Sequence, residues 1–175
     1  MEEQKPEELG GQPCPMCGKN TMTLREQERD VPYFGVVFLF SMSCSNCKYF
    51  KSDVEPAERH EPSRFTLQIE CEDDMKIRIV KSGEATIKIP RMISVDPGPV
   101  SNGYISNVEG VLTRIKGAIE SARDSEEDEA AKKKAKTYLK KLTKVMWGQE
   151  PLTLIIEDPS GNSAIISDKA KKQKL

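Results

Sequence analysis

The chain has 175 residues, of which 37% are apolar and 31% charged, enough for one or two domains with a modest core. Twenty-seven basic residues nearly balance 28 acidic ones, so a net charge of −1 supplies no global field for nucleic acid or anionic lipid. The longest apolar run, Val36-Val37-Phe38-Leu39-Phe40, falls far short of the roughly 18 residues of a membrane span; the acidic start Met1-Glu2-Glu3 has no apolar secretion segment, so a soluble, cytoplasmic protein is expected.

Residues 1–12 are polar and are expected to be disordered. Residues 13–56 carry the sharpest signal, two C-x2-C pairs formed by Cys14, Cys17, Cys44 and Cys47, with 26 residues between Cys17 and Cys44. In a chain without a secretion signal, this pattern predicts a zinc site before it predicts disulfides. Each short turn lets two thiolates converge on one ion, and two such turns complete a tetrahedral shell. A redox dithiol would need one C-x2-C at the start of a helix, whereas the second pair here follows a strand. A shell of four thiolates also leaves no open position for a catalytic water. One structural Zn²⁺ is therefore expected, held by a ribbon whose strands lie near Met22–Arg25, Val36–Met42 and Tyr49–Val54. Lys19 and Lys48 are placed to offset the excess negative charge of the shell. Gly18 suits a left-handed turn after the first pair, while Lys48 takes the corresponding place after the second.

Residues 57–63 are polar and Pro-bounded, a linker into a second unit over 64–167. Phe65, Leu67, Ile69 and Cys71 alternate, which predicts a strand with Cys71 as a buried core thiol. Ile77/Ile79 and Ile87/Ile89 continue the strand pattern. A helical hairpin is expected at about 106–147. Ser106-x-x-Glu109 reads as a capping box, followed by the stripe Val108, Val111, Leu112, Ile115 and Ile119. Acid-first pairs Asp128/Lys132 and Glu129/Lys133 support a second helix ended by Gly148 and Pro151. Strands return at Leu152–Ile156 and Ala164–Ile166, around the turn Asp158-Pro159-Ser160-Gly161-Asn162. Residues 168–175 form a basic tail, expected to be disordered. The fold class is mainly β (α+β).

Catalytic machinery is missing from this pattern. The only histidine, His60, lies in the linker, so no Cys–His or Ser–His pair can be built in the second unit. No P-loop, GxSxG or GxGxxG occurs. The chain is therefore expected not to be an enzyme and to take no small-molecule substrate.

Several blocks in order resemble the ZPR-type zinc-finger proteins, in their single-module, archaeal form. They are Cys14-Pro15-Met16-Cys17, Val31-Pro32-Tyr33-Phe34, Ser43-Cys44-Ser45-Asn46-Cys47, Arg64-Phe65-Thr66-Leu67 and Val80-Lys81-Ser82-Gly83-Glu84-Ala85-Thr86. Val108-Glu109-Gly110-Val111-Leu112 and, most specific of all, Leu152 through Ser163 follow. The chain departs from the family at Lys48, where glycine is favoured, and at 55–62, where a Gly-rich segment is expected. The resemblance implies a zinc ribbon joined to a double-stranded β-helix with a helical-hairpin insertion. It also implies binding to a translation elongation factor GTPase of the 1-alpha type, with a role in that partner's folding or assembly. Tyr33 and Phe34 at the ribbon tip are candidate partner anchors, or else pack the tip onto the β-domain. Asp158, Pro159, Gly161 and Asn162 are candidate partner contacts, or simply a tight hairpin turn. The alternative function is a nucleic-acid-binding ribbon using Lys19, Lys48, Lys51 and the lysine tail.

Overall fold

A computed structural model describes residues 6–31, 35–57, 60–98 and 101–175. The first four strands, β1 (Glu7–Gln12), β2 (Met22–Val31), β3 (Gly35–Cys44) and β4 (Phe50–Pro56), form one antiparallel sheet in sequence order. β2 and β3 pair from Met22↔Cys44 to Val31↔Gly35, a longer hairpin than the expected strands. The polar alternation Glu26, Glu28, Asp30 hides β2 from an apolar pattern, but backbone pairing does not need apolar side chains.

The same reason corrects the expectation of disorder in the first twelve residues over Glu7–Gln12. Residues 7–12 form β1, with Leu9 opposite Leu24 and a register shift before Gln12. Gly11 sits at φ 72° in that irregular stretch, a conformation glycine adopts without a Cβ clash.

The second unit comprises β5 (Ser63–Ile69), β6 (Arg78–Lys81), β7 (Thr86–Ile89), β8 (Ile93–Val95), β9 (Tyr104–Asn107), β10 (Leu152–Asp158), β11 (Ala164–Ile166) and β12 (Lys171–Lys174). They make a five-stranded sheet in the order β12-β5-β10-β7-β8 and a three-stranded sheet in the order β11-β6-β9. Residues from both sheets share one core, including Leu67, Leu154 and Ile156 from the first and Ile79 and Ile165 from the second. This is the double-stranded β-helix arrangement. β12 corrects the expectation of a disordered tail: Lys171–Lys174 pair with β5 from Lys171↔Thr66 to Lys174↔Ser63. A lysine-rich strand suits a sheet edge, where it supplies backbone partners on one side and discourages further pairing on the other.

Cys71 is also corrected. It is exposed, not a core thiol. β5 stops at Ile69 because the buried Asp74 carboxylate accepts the amides of Glu70 (2.9 Å) and Cys71 (3.3 Å), turning the chain into a short 3-10 helix over Glu72–Lys76. Lys169 closes this clamp with an ion pair to Asp74 at 2.7 Å.

Between β9 and β10 the chain makes α1 (Val108–Ser125) and α2 (Glu129–Met146), an inserted hairpin. The expected apolar stripe of α1 is buried, and Leu139, Leu142 and Val145 of α2 join it in the core. The cap lies one residue later than the sequence suggested: Asn107, not Ser106, accepts the Gly110 amide at 2.8 Å. Asp128 likewise caps α2 rather than pairing with Lys132, which bonds Glu129 at 3.1 Å.

The three-stranded sheet is covered on both sides. Ile79 faces the core, while Val80 faces outward with Ile105 and Ile166 onto Val31, Val37, Leu39 and Val54 of the ribbon. Polar contacts reinforce this junction: Ser52 donates to Gly103 O (2.9 Å) and Gly83 N donates to Asp53 (3.0 Å). A Cβ at Gly103 would stand 2.5 Å from Asp53 Oδ1 and 2.7 Å from Val54 N, so β4 can approach only a glycine. Gly103→Ala is expected to cost about 1–3 kcal/mol, read as a lower denaturant midpoint; an unchanged midpoint would mean that the ribbon shifts freely on the β-domain.

Candidate metal centre

The two cysteine turns lie at one end of the ribbon sheet, before β2 and after β3. Gly18 N donates to Cys14 O (2.8 Å) and Lys48 N to Cys44 O (3.1 Å), so the two knuckles are built alike. Gly18 (φ 68°) and Lys48 (φ 61°) both take the left-handed conformation, which shows that the second knuckle forms despite its lysine. Met22↔Cys44 pairing brings the turns together, and the four sulfurs all lie within 4.8 Å of one another. Cys14 and Cys47 are 3.7 Å apart and Cys17 and Cys44 3.8 Å. A tetrahedron with metal–sulfur distances of about 2.3 Å has edges of about 3.8 Å, so the thiols fit a zinc ion. The cluster is positioned to hold one structural Zn²⁺.

The electrostatics of the site favour a dication. The Cys47 amide and the Thr21 hydroxyl, whose oxygen lies 3.3 Å from Cys44 Sγ, bring the Cys44 thiol down to about 6. The Lys19 amide lowers Cys17 as well. The Tyr49 amide acts the same way on Cys47, yet desolvation and the three neighbouring sulfurs outweigh it and push that thiol up to about 12. The first thiolate forms readily and the last is opposed by its neighbours. A dication bound by the four sulfurs would offset that opposition, so binding would release protons.

Lys19 and Lys48 do not reach the sulfurs. Lys19 Nζ bonds Asn46 Oδ1 across the two knuckles (3.0 Å), and Lys48 Nζ bonds Ser45 O (3.0 Å). They brace the turns and leave cationic charge beside the shell. No spacing rule marks Thr21, which acts on Cys44 from just before the adjacent strand.

The other candidate residues lie elsewhere. Tyr33 and Phe34 fall outside the described residues. The Asp158–Asn162 turn lies in the β-domain, and there the structure corrects two of its four proposed contacts. Asp158 is fully buried and Gly161 is buried, whereas Pro159 is exposed and Asn162 half-buried. Asp158 accepts from Ser82 Oγ (2.8 Å), Ser160 N (2.8 Å), Ser160 Oγ (2.6 Å) and Ser163 Oγ. Gly161, at φ 75°, lies against the linker, where a Cβ would meet His60 O at 2.6 Å. These two residues hold the domain together from inside it.

Buried Lys81 completes the network, donating to Ser82 O at 2.8 Å. Burial lowers its pKa, while the Asp158 and Asp53 carboxylates oppose that shift.

A four-cysteine ribbon stacked on a double-stranded β-helix defines a two-part zinc protein whose metal is closed off by its ligands. Residues 10–62 match the ZPR1 zinc-finger domain and residues 73–175 the ZPR1 jelly-roll domain. The chain belongs to the ZPR1 family. It is 40% identical over 164 residues to a ZPR1-like protein of Methanocaldococcus jannaschii, covering 93% of this chain and 83% of that one. A ZPR1-like protein of Pyrococcus horikoshii is also 40% identical, over 182 residues, covering 99% and 82%. The zinc finger chaperone zpr1 of Schizosaccharomyces pombe is 30% identical over 156 residues, covering 87% of this chain but 33% of its own length. The chain thus spans about a third of that relative and most of the archaeal ones. No helix among the described residues is long and apolar enough to cross a membrane.

Proposed function

We propose that this protein is a cytoplasmic, non-enzymatic chaperone-like adapter that binds a translation elongation factor GTPase of the 1-alpha type and assists its folding or assembly. The observation that carries this reading is membership of the ZPR1 family across both parts of the chain, with one relative named as a chaperone. The chemistry of the site supports it, because a shell of four thiolates is suited to holding a fold rather than turning over a substrate. Tyr33 and Phe34, between β2 and β3 in the chain, serve as aromatic anchors, and Pro159 and Asn162 as secondary contacts.

The test is titration of the zinc-loaded chain with the elongation factor 1-alpha homologue of the same cell, with GDP, with a GTP analogue and without nucleotide. Nucleotide-sensitive binding is expected, and Tyr33→Ala/Phe34→Ala should weaken it about tenfold or more with the melting temperature nearly unchanged. Absence of binding in every nucleotide state would sink the reading. A parallel loss of affinity and melting temperature would instead assign the two aromatics to packing.

A further inference from the structure

The ribbon sheet has two faces, and the β-domain covers only one. Val37 and Leu39 of β3 point to the covered side, together with Val31 and Val54. Strand periodicity sends Phe38, Phe40 and Met42 to the other side. There Leu24 stands opposite Met42, and Leu9 opposite Leu24. An antiparallel sheet covered on one face ordinarily alternates apolar-in with polar-out, whereas β3 is largely apolar on both. Leu9, Leu24, Phe40 and Met42 floor a groove of about 800 Å³ that runs across all four strands.

The rim is acidic. By register Glu7, Glu26, Asp53 and Glu55 stand on this face against Lys51, while Arg25, paired with Glu8 at 2.7 Å, alternates away from it. Glu26, opposite Phe40, and Glu55, opposite Phe38, are exposed and make no ion pair among the described residues.

We infer that this open face is a docking surface for an extended basic–apolar peptide segment of a partner protein. Aliphatic side chains of the segment rest on Leu24, Phe40 and Met42. Its lysine or arginine stems lie along the floor and reach the carboxylates of Glu26 and Glu55. Charge complementarity selects this occupant. A second copy meeting the same face by two-fold symmetry would set one acidic rim against another. A polyanion would be repelled by the same rim. The surface is defined by its own chemistry and stands or falls apart from the identity of the GTPase.

The probe is a fluorescein-labelled peptide of about nine residues alternating Lys and Val, long enough to cross four strands about 4.8 Å apart. A Glu–Val peptide is the control, and both are titrated by anisotropy into the zinc-loaded full chain. The Lys–Val peptide is expected to bind, with affinity falling as salt rises, and to shift the amide resonances of Leu24, Phe40 and Met42. The Glu26→Lys/Glu55→Lys variant, changed only at exposed positions, should bind it about tenfold more weakly and gain the Glu–Val peptide at unaltered zinc content. Phe40→Ser should also lose affinity for the Lys–Val peptide. Absence of binding, equal binding of both peptides, indifference to the charge reversal, shifts confined to other surfaces, or dimerisation through this face would each overturn the assignment.

Discussion

Removing the metal with a chelator is expected to collapse the ribbon while the β-domain stays folded. The cluster beside the metal has only Cys14, Met22 and Cys44 as buried members, so two of its three are themselves ligands. Metal binding contributes about 10–16 kcal/mol in zinc-finger peptides, and a unit of this size has no other reserve of that magnitude. Amide exchange reads the outcome. Protection in β2 and β3 should fall to that of a disordered chain, and protection in β5 and β10 should persist. Cys14→Ser should behave similarly, because it removes a buried ligand from a shell that needs all four. Since binding releases protons, the zinc-loaded ribbon should also lose its metal as pH falls. Persistent protection of β2 and β3 without zinc would mean that stacking on Val80, Ile105 and Ile166 suffices to hold the ribbon.

Asp158→Ala is expected to be the most damaging single change within the β-domain. It strands the Ser82, Ser160 and Ser163 hydroxyls and removes a carboxylate that faces buried Lys81. Breaking a buried charged network in this way costs about 3–5 kcal/mol, or a fall in melting temperature on the order of 10 °C for a chain of this size. Lys81→Met in the same background should restore part of the loss, because it removes the charge left unpaired; additive losses would exclude the coupling. The pH dependence has a definite sign. A lysine whose folded pKa lies below its unfolded value binds fewer protons in the folded state, so stability rises with pH through the interval between the two. Without Asp158, desolvation of Lys81 is less opposed and that interval widens. Asp158→Ala should therefore gain more stability than the wild type on going from neutral to alkaline pH.

The metal centre was legible from spacing alone, because a C-x2-C turn is a local device and two of them have few other uses in a chain of this composition. The alternation at Phe65, Leu67 and Ile69 and the stripe of α1 were legible for a similar reason, since side-chain period is a property of the strand or helix itself. The same alternation misled at Cys71. The pattern ran one step further than the strand, which Asp74 ends by capturing two amides from four and three residues away. Asp158-Pro159-Ser160-Gly161 has the composition of a surface turn, yet Asp158 is fully buried. Its burial depends on Ser82, distant in sequence and brought to it by the fold.

The zinc ligands, the helical hairpin set between strands, and the family are all legible without coordinates. Each is written in short-range chemistry: thiol spacing, residue period, caps and blocks of contiguous residues. That Glu7–Gln12 and Lys171–Lys174 are strands, that Asp158 anchors a buried network, and that one apolar face of the ribbon is covered while the other lies open, emerges from the folded chain alone. An edge strand is held by backbone groups of a neighbour and needs no apolar pattern of its own. Whether an apolar face is core or docking surface depends on what the rest of the chain lays against it.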